Sequence, residues 1–170
     1  LNFLNLSSNQ FIGPLPATLF NNGNLLEVNL SNNQINGPVG SAIAAMVNIQ
    51  ILNLSSNKFT GPLPDELYTL TNLVELRLND NLFTEEISKA VANLVNLQIL
   101  HLQNNHLDGR IPGELDQLNQ LNLLTQPTDL DLSHNWFLRM DALAGFFNNP
   151  LVTVAVDNNQ LQFDDINNNF

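Results

Sequence analysis

The chain has no cysteine among its 170 residues. Disulfides, thiol catalysis and cysteine-held zinc are therefore excluded. Basic residues are almost as scarce. Lys58, Arg77, Lys89, Arg110 and Arg139 stand against sixteen acids, a formal charge of −11. Nucleic acid and anionic membrane surfaces both require a basic patch, so neither is an expected partner. Long apolar runs are also missing. The longest, Ala42–Val47, is far short of the ~20 residues that span a bilayer, so this segment is not expected to insert into a membrane. No charged-then-apolar leader precedes the first motif. The chain opens mid-motif at Leu1 and is expected to be a piece of a longer one.

What is present is one phrase written repeatedly. Asn9, Asn33, Asn57, Asn81 and Asn105 follow one another at steps of 24; Asn135 comes 30 later and Asn159 a further 24 on. Five and three residues before each Asn stand apolar residues, as in Leu4/Leu6, Leu52/Leu54 and Val154/Val156. Two residues after it stands another: Phe11, Ile35, Phe59, Phe83, Leu107, Phe137, Leu161. Seven copies without a miss define an internal repeat. The repeats begin near residues 1, 25, 49, 73, 97, 127 and 151, with an insertion within 121–129, and form a single domain over 1–170. With 44% hydrophobic residues the chain can fill a substantial core.

Each unit reads as a short strand whose two apolar residues face inward. Copies stacked one repeat apart make a parallel sheet, because each returns by the same crossover. A buried Asn at the strand exit can satisfy turn N–H and C=O groups of its neighbours, so the Asn column is expected to be a structural ladder. Gly13, Gly37 and Gly61, each followed by Pro, and Gly109, followed by Arg110-Ile111-Pro112, turn the chain onward. Asn24, Asn48, Asn72 and Asn96 close each loop.

The stretches "NLSSNQFIGPLP" and "NLSSNKFTGPLP" resemble the 24-residue plant-type leucine-rich repeat, L-x-x-L-x-L-x-x-N-x-L-x-G-x-I-P. That repeat is found in receptor-kinase ectodomains and polygalacturonase-inhibiting proteins, and surface proteins of bacteria and protists use it too. The resemblance implies an α/β solenoid, a right-handed superhelix with a concave parallel sheet and an irregular or 3-10 convex side. It also implies an extracellular or cell-surface, non-enzymatic recognition module that needs no cofactor. Two copies depart from the pattern. The fourth reads Glu85-Glu86-Ile87-Ser88, and the sixth loses the motif, with Asp141 placed to cap a short helix through Leu143–Phe147.

In a solenoid the outward strand positions make one continuous wall, here roughly 30 Å long at ~4.8 Å per strand. Its columns are Phe3/Glu27/Ile51/Glu75/Ile99/Asp129/Thr153, Asn5/Asn29/Asn53/Arg77/His101/Asp131/Ala155, a third through Ser7, Ser31, Ser55 and Ser133, and a fourth through Asp80 and His134. Copies one to three are uniform Asn and Ser. Copies four to six carry Glu75, Arg77, Asp80, Ile99, His101, Asp129, Asp131 and His134, the expected partner-binding residues. The expected ligand is a protein or peptide. Carbohydrate or cell-wall binding, including inhibition of a wall-degrading enzyme, is one alternative, and a structural or adhesive surface segment is another. His101 and Asp131 share a column and are expected to pair as surface ions, without a catalytic or metal role. Ser133 is the nearest outward hydroxyl, yet no oxyanion-type donor loop accompanies it. Asn5, Asn29 and Asn53 lie in N-L-S sequons and are candidate glycosylation sites.

Overall fold

The structure, a computed structural model, describes residues 1–121, 128–141 and 152–162. Each leucine pair makes one strand: β1 (Phe3–Asn5), β3 (Glu27–Asn29), β5 (Ile51–Asn53), β7 (Glu75–Arg77), β9 (Ile99–His101), β12 (Thr128–Asp131) and β14 (Val152–Ala155). These pair in parallel in that order, with every repeat in register: Leu4 opposite Val28, Leu52 opposite Leu76, Leu100 opposite Leu130. A second parallel sheet runs along the flank through β2 (Ile12–Gly13), β4 (Gln34–Gly37), β6 (Lys58–Gly61), β8 (Leu82–Glu85) and β10 (His106–Leu107). A short pair, β11 (Arg110–Ile111) with β13 (Arg139–Met140), lies beyond it.

The far side is built of single 3-10 turns at 17–21, 41–45, 65–69, 89–93 and 113–115, the last running into helix α1 (Asp116–Leu121). Three of these turns start directly after the proline of the repeat, which supplies the extended φ at the N-cap. Ser88 replaces that proline in the fourth copy and caps its turn instead, accepting the Ala90 N–H. The solenoid is thus strand, flank strand, turn, repeated.

The core is a set of columns running through the stack. Val28, Leu52, Leu76, Leu100 and Leu130 form one; Leu30, Leu54, Leu78, Leu102 and Leu132 form the next; all are buried. Phe59, Phe83 and Phe137 fill the turn column, and the rings of Phe59 and Phe83 stack at 6.0 Å.

Two asparagine ladders bind the coils. In the inner one Asn33 Nδ2 donates to the carbonyls of Leu30, Ser31 and, one repeat back, Leu6, while its Oδ1 accepts the Phe11 N–H. Asn57, Asn81, Asn105, Asn135 and Asn159 repeat this pattern; among the described residues the Asn9 side chain makes two bonds, both within its own repeat. The residue before each ladder Asn takes a positive φ, 53–57° throughout, which swings the amide under the turn. In the outer ladder Asn48, Asn72 and Asn96 donate to Gly23, Val47 and Thr71 carbonyls 25 residues earlier.

Gly13, Gly37, Gly61 and Gly109 all sit at positive φ, and in the fourth copy Glu85 is held there at 67°. Most of the inserted stretch within 121–129 and the expected helix over 143–147 lie outside the described residues. Asp141 is described, and it pairs with Arg110 on the neighbouring coil.

Candidate functional site

The seven-stranded sheet places the wall residues in three consecutive strands at repeats four to six, and their side chains join. Arg77 Nε donates to Glu75 Oε1 at 2.5 Å along β7. Its Nη1 lies 2.9 Å from His101 Nδ1 on β9. His101 Nε2 in turn lies 2.8 Å from Asp129 Oδ2 on β12. A guanidinium has hydrogens to donate and no lone pair to accept with. His101 Nδ1 must therefore be the acceptor, which leaves the proton on Nε2, donating to Asp129. One polar chain, Glu75–Arg77–His101–Asp129, crosses three coils. Its middle is sheltered, with the side chains of Arg77 31% and His101 15% exposed, while Asp129 at its end is 46% exposed.

The expected His101–Asp131 pair is not formed. The two are opposite each other in register, but Asp131 Oδ1 is taken by Ser133, which donates from its N–H and its hydroxyl at 3.0 and 2.7 Å. Asp129 reaches His101 diagonally instead. The same local clasp explains a second departure from expectation. Asn29 Oδ1 accepts from Ser31 and Asn53 Oδ1 from Ser55 in the identical geometry. Ser31, Ser55 and Ser133 are consequently buried, not part of the open wall. In the sequons the Oδ1 of Asn5, Asn29 and Asn53 is thus occupied, while Nδ2 has no hydrogen-bond partner among the described residues.

The remaining wall residues stand around the chain. Asp80 accepts from Asn79 on its own coil and from Asn104 on the next. His134 sits between Ser133 Oγ at 3.2 Å and Asn158 Nδ2 at 3.0 Å. Because Asn158 Nδ2 can only donate, His134 Nε2 accepts and its Nδ1 carries the proton. Ile99 is half-buried between Glu75 and Asp129, so it contributes an edge and not a free anchor. Phe3 on the first coil is 62% exposed. Among the described residues no three His, Asp or Glu gather as metal ligands.

Sequence reasoning passed over one feature, on the flank. His106 and Trp136 occupy the same offset in adjacent coils, and their rings stack at 4.5 Å with 18° between planes. Trp136, Leu138 and Leu82 are all more than two-fifths exposed there. The signal was available as an aromatic and an imidazole one position after the ladder Asn in neighbouring copies.

Repeated strand, Asn ladder and 3-10 return together define a leucine-rich-repeat solenoid. The Leucine Rich Repeat family model matches residues 1–22, 24–46, 48–70 and 96–118, just over half of the chain, and the chain belongs to that family. No curated protein matches it. Among solved structures it is similar to a plant ice-binding protein, with 26% identity and a TM-score of 0.83 over 95% of this chain and 50% of that one. It is similar also to the ectodomain of the Arabidopsis receptor kinase HAESA in complex with an extended IDA peptide hormone: 31% identity, TM-score 0.83, 95% of this chain and 26% of that one. A third is the PEPR1–AtPEP1 complex, at 26% identity and TM-score 0.69, covering 95% and 25%. The chain spans half the length of the first of these and about a quarter of the other two. No helix among the described residues is long and apolar enough to cross a membrane.

Proposed function

We propose that this chain is a non-catalytic recognition module that binds a protein or peptide outside the cell, through the concave face of repeats four to six. The observation that carries the proposal is the Glu75–Arg77–His101–Asp129 chain. The first three coils repeat one Asn-x-Ser clasp, as folding alone requires. Repeats four and five replace it and repeat six keeps it with Asp131 in place of Asn, while charged side chains of the three are held by one another across three strands. Groups already ordered lose little freedom on binding, which is what makes a surface useful for recognition. The peptide-bound receptor ectodomains among its structural relatives support the reading. Arg77 is neutralised by Glu75, while Asp129 and Asp131 each keep an oxygen without a hydrogen-bond partner among the described residues. The face accordingly suits a basic or polar partner. Reversing Glu75, Asp129 and Asp131 to Lys should abolish capture of that partner; capture that survives would remove the site.

A second reading rests on the other half of the wall. Asn5–Ser7, Asn29–Ser31 and Asn53–Ser55 present one clasp three times in register. A repetitive polar array fits a repetitive ligand, and the ice-binding relative is built on the same coil. Thermal hysteresis of the chain, lost in Asn29→Leu, would favour it. Carbohydrate binding or inhibition of a wall-degrading enzyme is less well served, because Phe3 is the wall's exposed aromatic for stacking a sugar. Glycan-array binding with no protein partner would reverse that order.

A further inference from the structure

We infer that His101 is an acid-operated latch on Arg77: in its neutral state it fixes the guanidinium through Nη1, and protonation releases that nitrogen while Nε stays with Glu75. The inference follows from which atoms can donate. Arg77 Nη1 faces His101 Nδ1 at 2.9 Å, and this contact is a hydrogen bond only while Nδ1 carries no proton. An imidazolium has a hydrogen on both nitrogens. Its Nδ1–H would then point at an N–H donor of like charge, so the contact turns from attractive to repulsive. The other side of the ring behaves oppositely, because Nε2–H donates to Asp129 in either state and more strongly when the ring is charged. The ring therefore stays with Asp129, and it is the Nη1 end of Arg77 that swings away, its Nε still held by Glu75.

All charged groups facing the ring are accounted for. From β7 these are Arg77 and, behind it, Glu75. From β12 they are Asp129 and Asp131, the latter committed to Ser133. On its own coil, Ile99 and Gln103 bring no charge. At neutral pH the cluster of Glu75, Arg77, His101, Asp129 and Asp131 sums to −2, three carboxylates against one guanidinium. Protonation of His101 makes it −1 and frees Arg77 Nη1 at the same time. A face suited to basic partners loses part of that character when the His101 ring takes up its second proton. The second wall histidine works the same way on a smaller scale, since His134 Nε2 accepts from Asn158 and cannot do so once charged.

The latch does not depend on a partner, so it can be tested on the protein alone. In ¹⁵N NMR of the imidazole and guanidinium groups at about pH 7.5, His101 should show a protonated Nε2 and a bare Nδ1. On acidification to about pH 5, the Arg77 resonances should shift and lose their slow exchange in step with His101. His101→Gln is the control: its amide can accept from Arg77 and donate to Asp129 but does not titrate, so Arg77 should be unchanged over the same range. A proton on Nδ1 at pH 7.5 would overturn the inference. So would Arg77 signals that stay put while His101 titrates, or that move equally in His101→Gln. Circular dichroism of both proteins at both pH values separates the latch from unfolding: a loss of fold in step with the Arg77 change would also overturn it.

Discussion

Asn81 Oδ1 accepts the backbone N–H of Phe59, a residue 22 positions earlier, at 3.0 Å. Its Nδ2 meanwhile donates to the carbonyls of Leu54, Leu78 and Asn79. One buried amide thus closes polar groups from two coils, and a leucine in its place would leave them without water or partner. Replacing Asn81 by Ala should lower stability by about 3 kcal/mol, the cost of orphaning a buried N–H and its carbonyls. Asn9, whose bonds stay within its own exposed coil, should cost less than about 1 kcal/mol on the same change. Equilibrium urea unfolding of the two variants checks the contrast, and equal losses would mean the ladder is not what holds the coils together.

The backbone of Glu85 is held at φ 67° where four other coils place glycine. A side chain in that region costs roughly 1–2 kcal/mol, partly offset by the roughly 0.5–1 kcal/mol a glycine loses on ordering. Glu85→Gly should therefore raise stability by up to about 1 kcal/mol, and Glu85→Ala, which keeps the Cβ, should not. Thermal melts of the pair decide it. A destabilised glycine variant would show that the carboxylate contributes more than the strain removes.

Tyr68 lies in the 3-10 turn of the third coil, 2% exposed, and its hydroxyl makes no hydrogen bond among the described residues. The Ser88 backbone pulls its pKa down a little without meeting hydrogen-bond geometry, whereas burial pushes it far above the usual phenol range. The folded pKa is raised above the unfolded one, so the stabilising contribution is complete below the unfolded value, ~10. It is lost as pH rises beyond that. Wild type should lose stability steeply above about pH 10, and Tyr68→Phe should flatten the curve. At pH 7 the Phe variant should be equal or slightly more stable, since it removes an unpaired buried hydroxyl. Unfolding midpoints from about pH 7 to about pH 11 would show both effects.

The regular part of this molecule was legible because it is written seven times. Leucine pairs, ladder Asn and turn glycines each recur at fixed offsets, so a period-2 strand and a period-24 coil follow from counting. The wall was legible only as far as the strand runs. The wall strands β1, β3, β5, β7 and β9 are each three residues long and end at the Asn, Arg or His column. Beyond it the chain enters the left-handed turn at Ser8, Asn32 or Ser56. Alternation fails there, and Ser31 and Ser55 fold inward beneath their own asparagines. Asp131 escaped reading for the same reason. Register set it opposite His101, but a clasp two residues away forms without bringing strands together, and that left Asp129 for the histidine. The His106–Trp136 stack lay in a column whose first three members, Gln10, Gln34 and Lys58, are exposed polar residues.

The central claim is that recognition belongs to the concave face of repeats four to six. Its most direct measurement compares the chain with Glu75→Lys/Asp129→Lys/Asp131→Lys and with Glu27→Lys, a charge reversal on the second coil. The affinity of each for the protein or peptide captured by wild type is then measured by calorimetry at neutral pH. The account predicts at least a tenfold loss for the triple variant, about 1.4 kcal/mol or more, and wild-type affinity for Glu27→Lys. Undiminished binding by a folded triple variant, or a loss confined to Glu27→Lys, would contradict it.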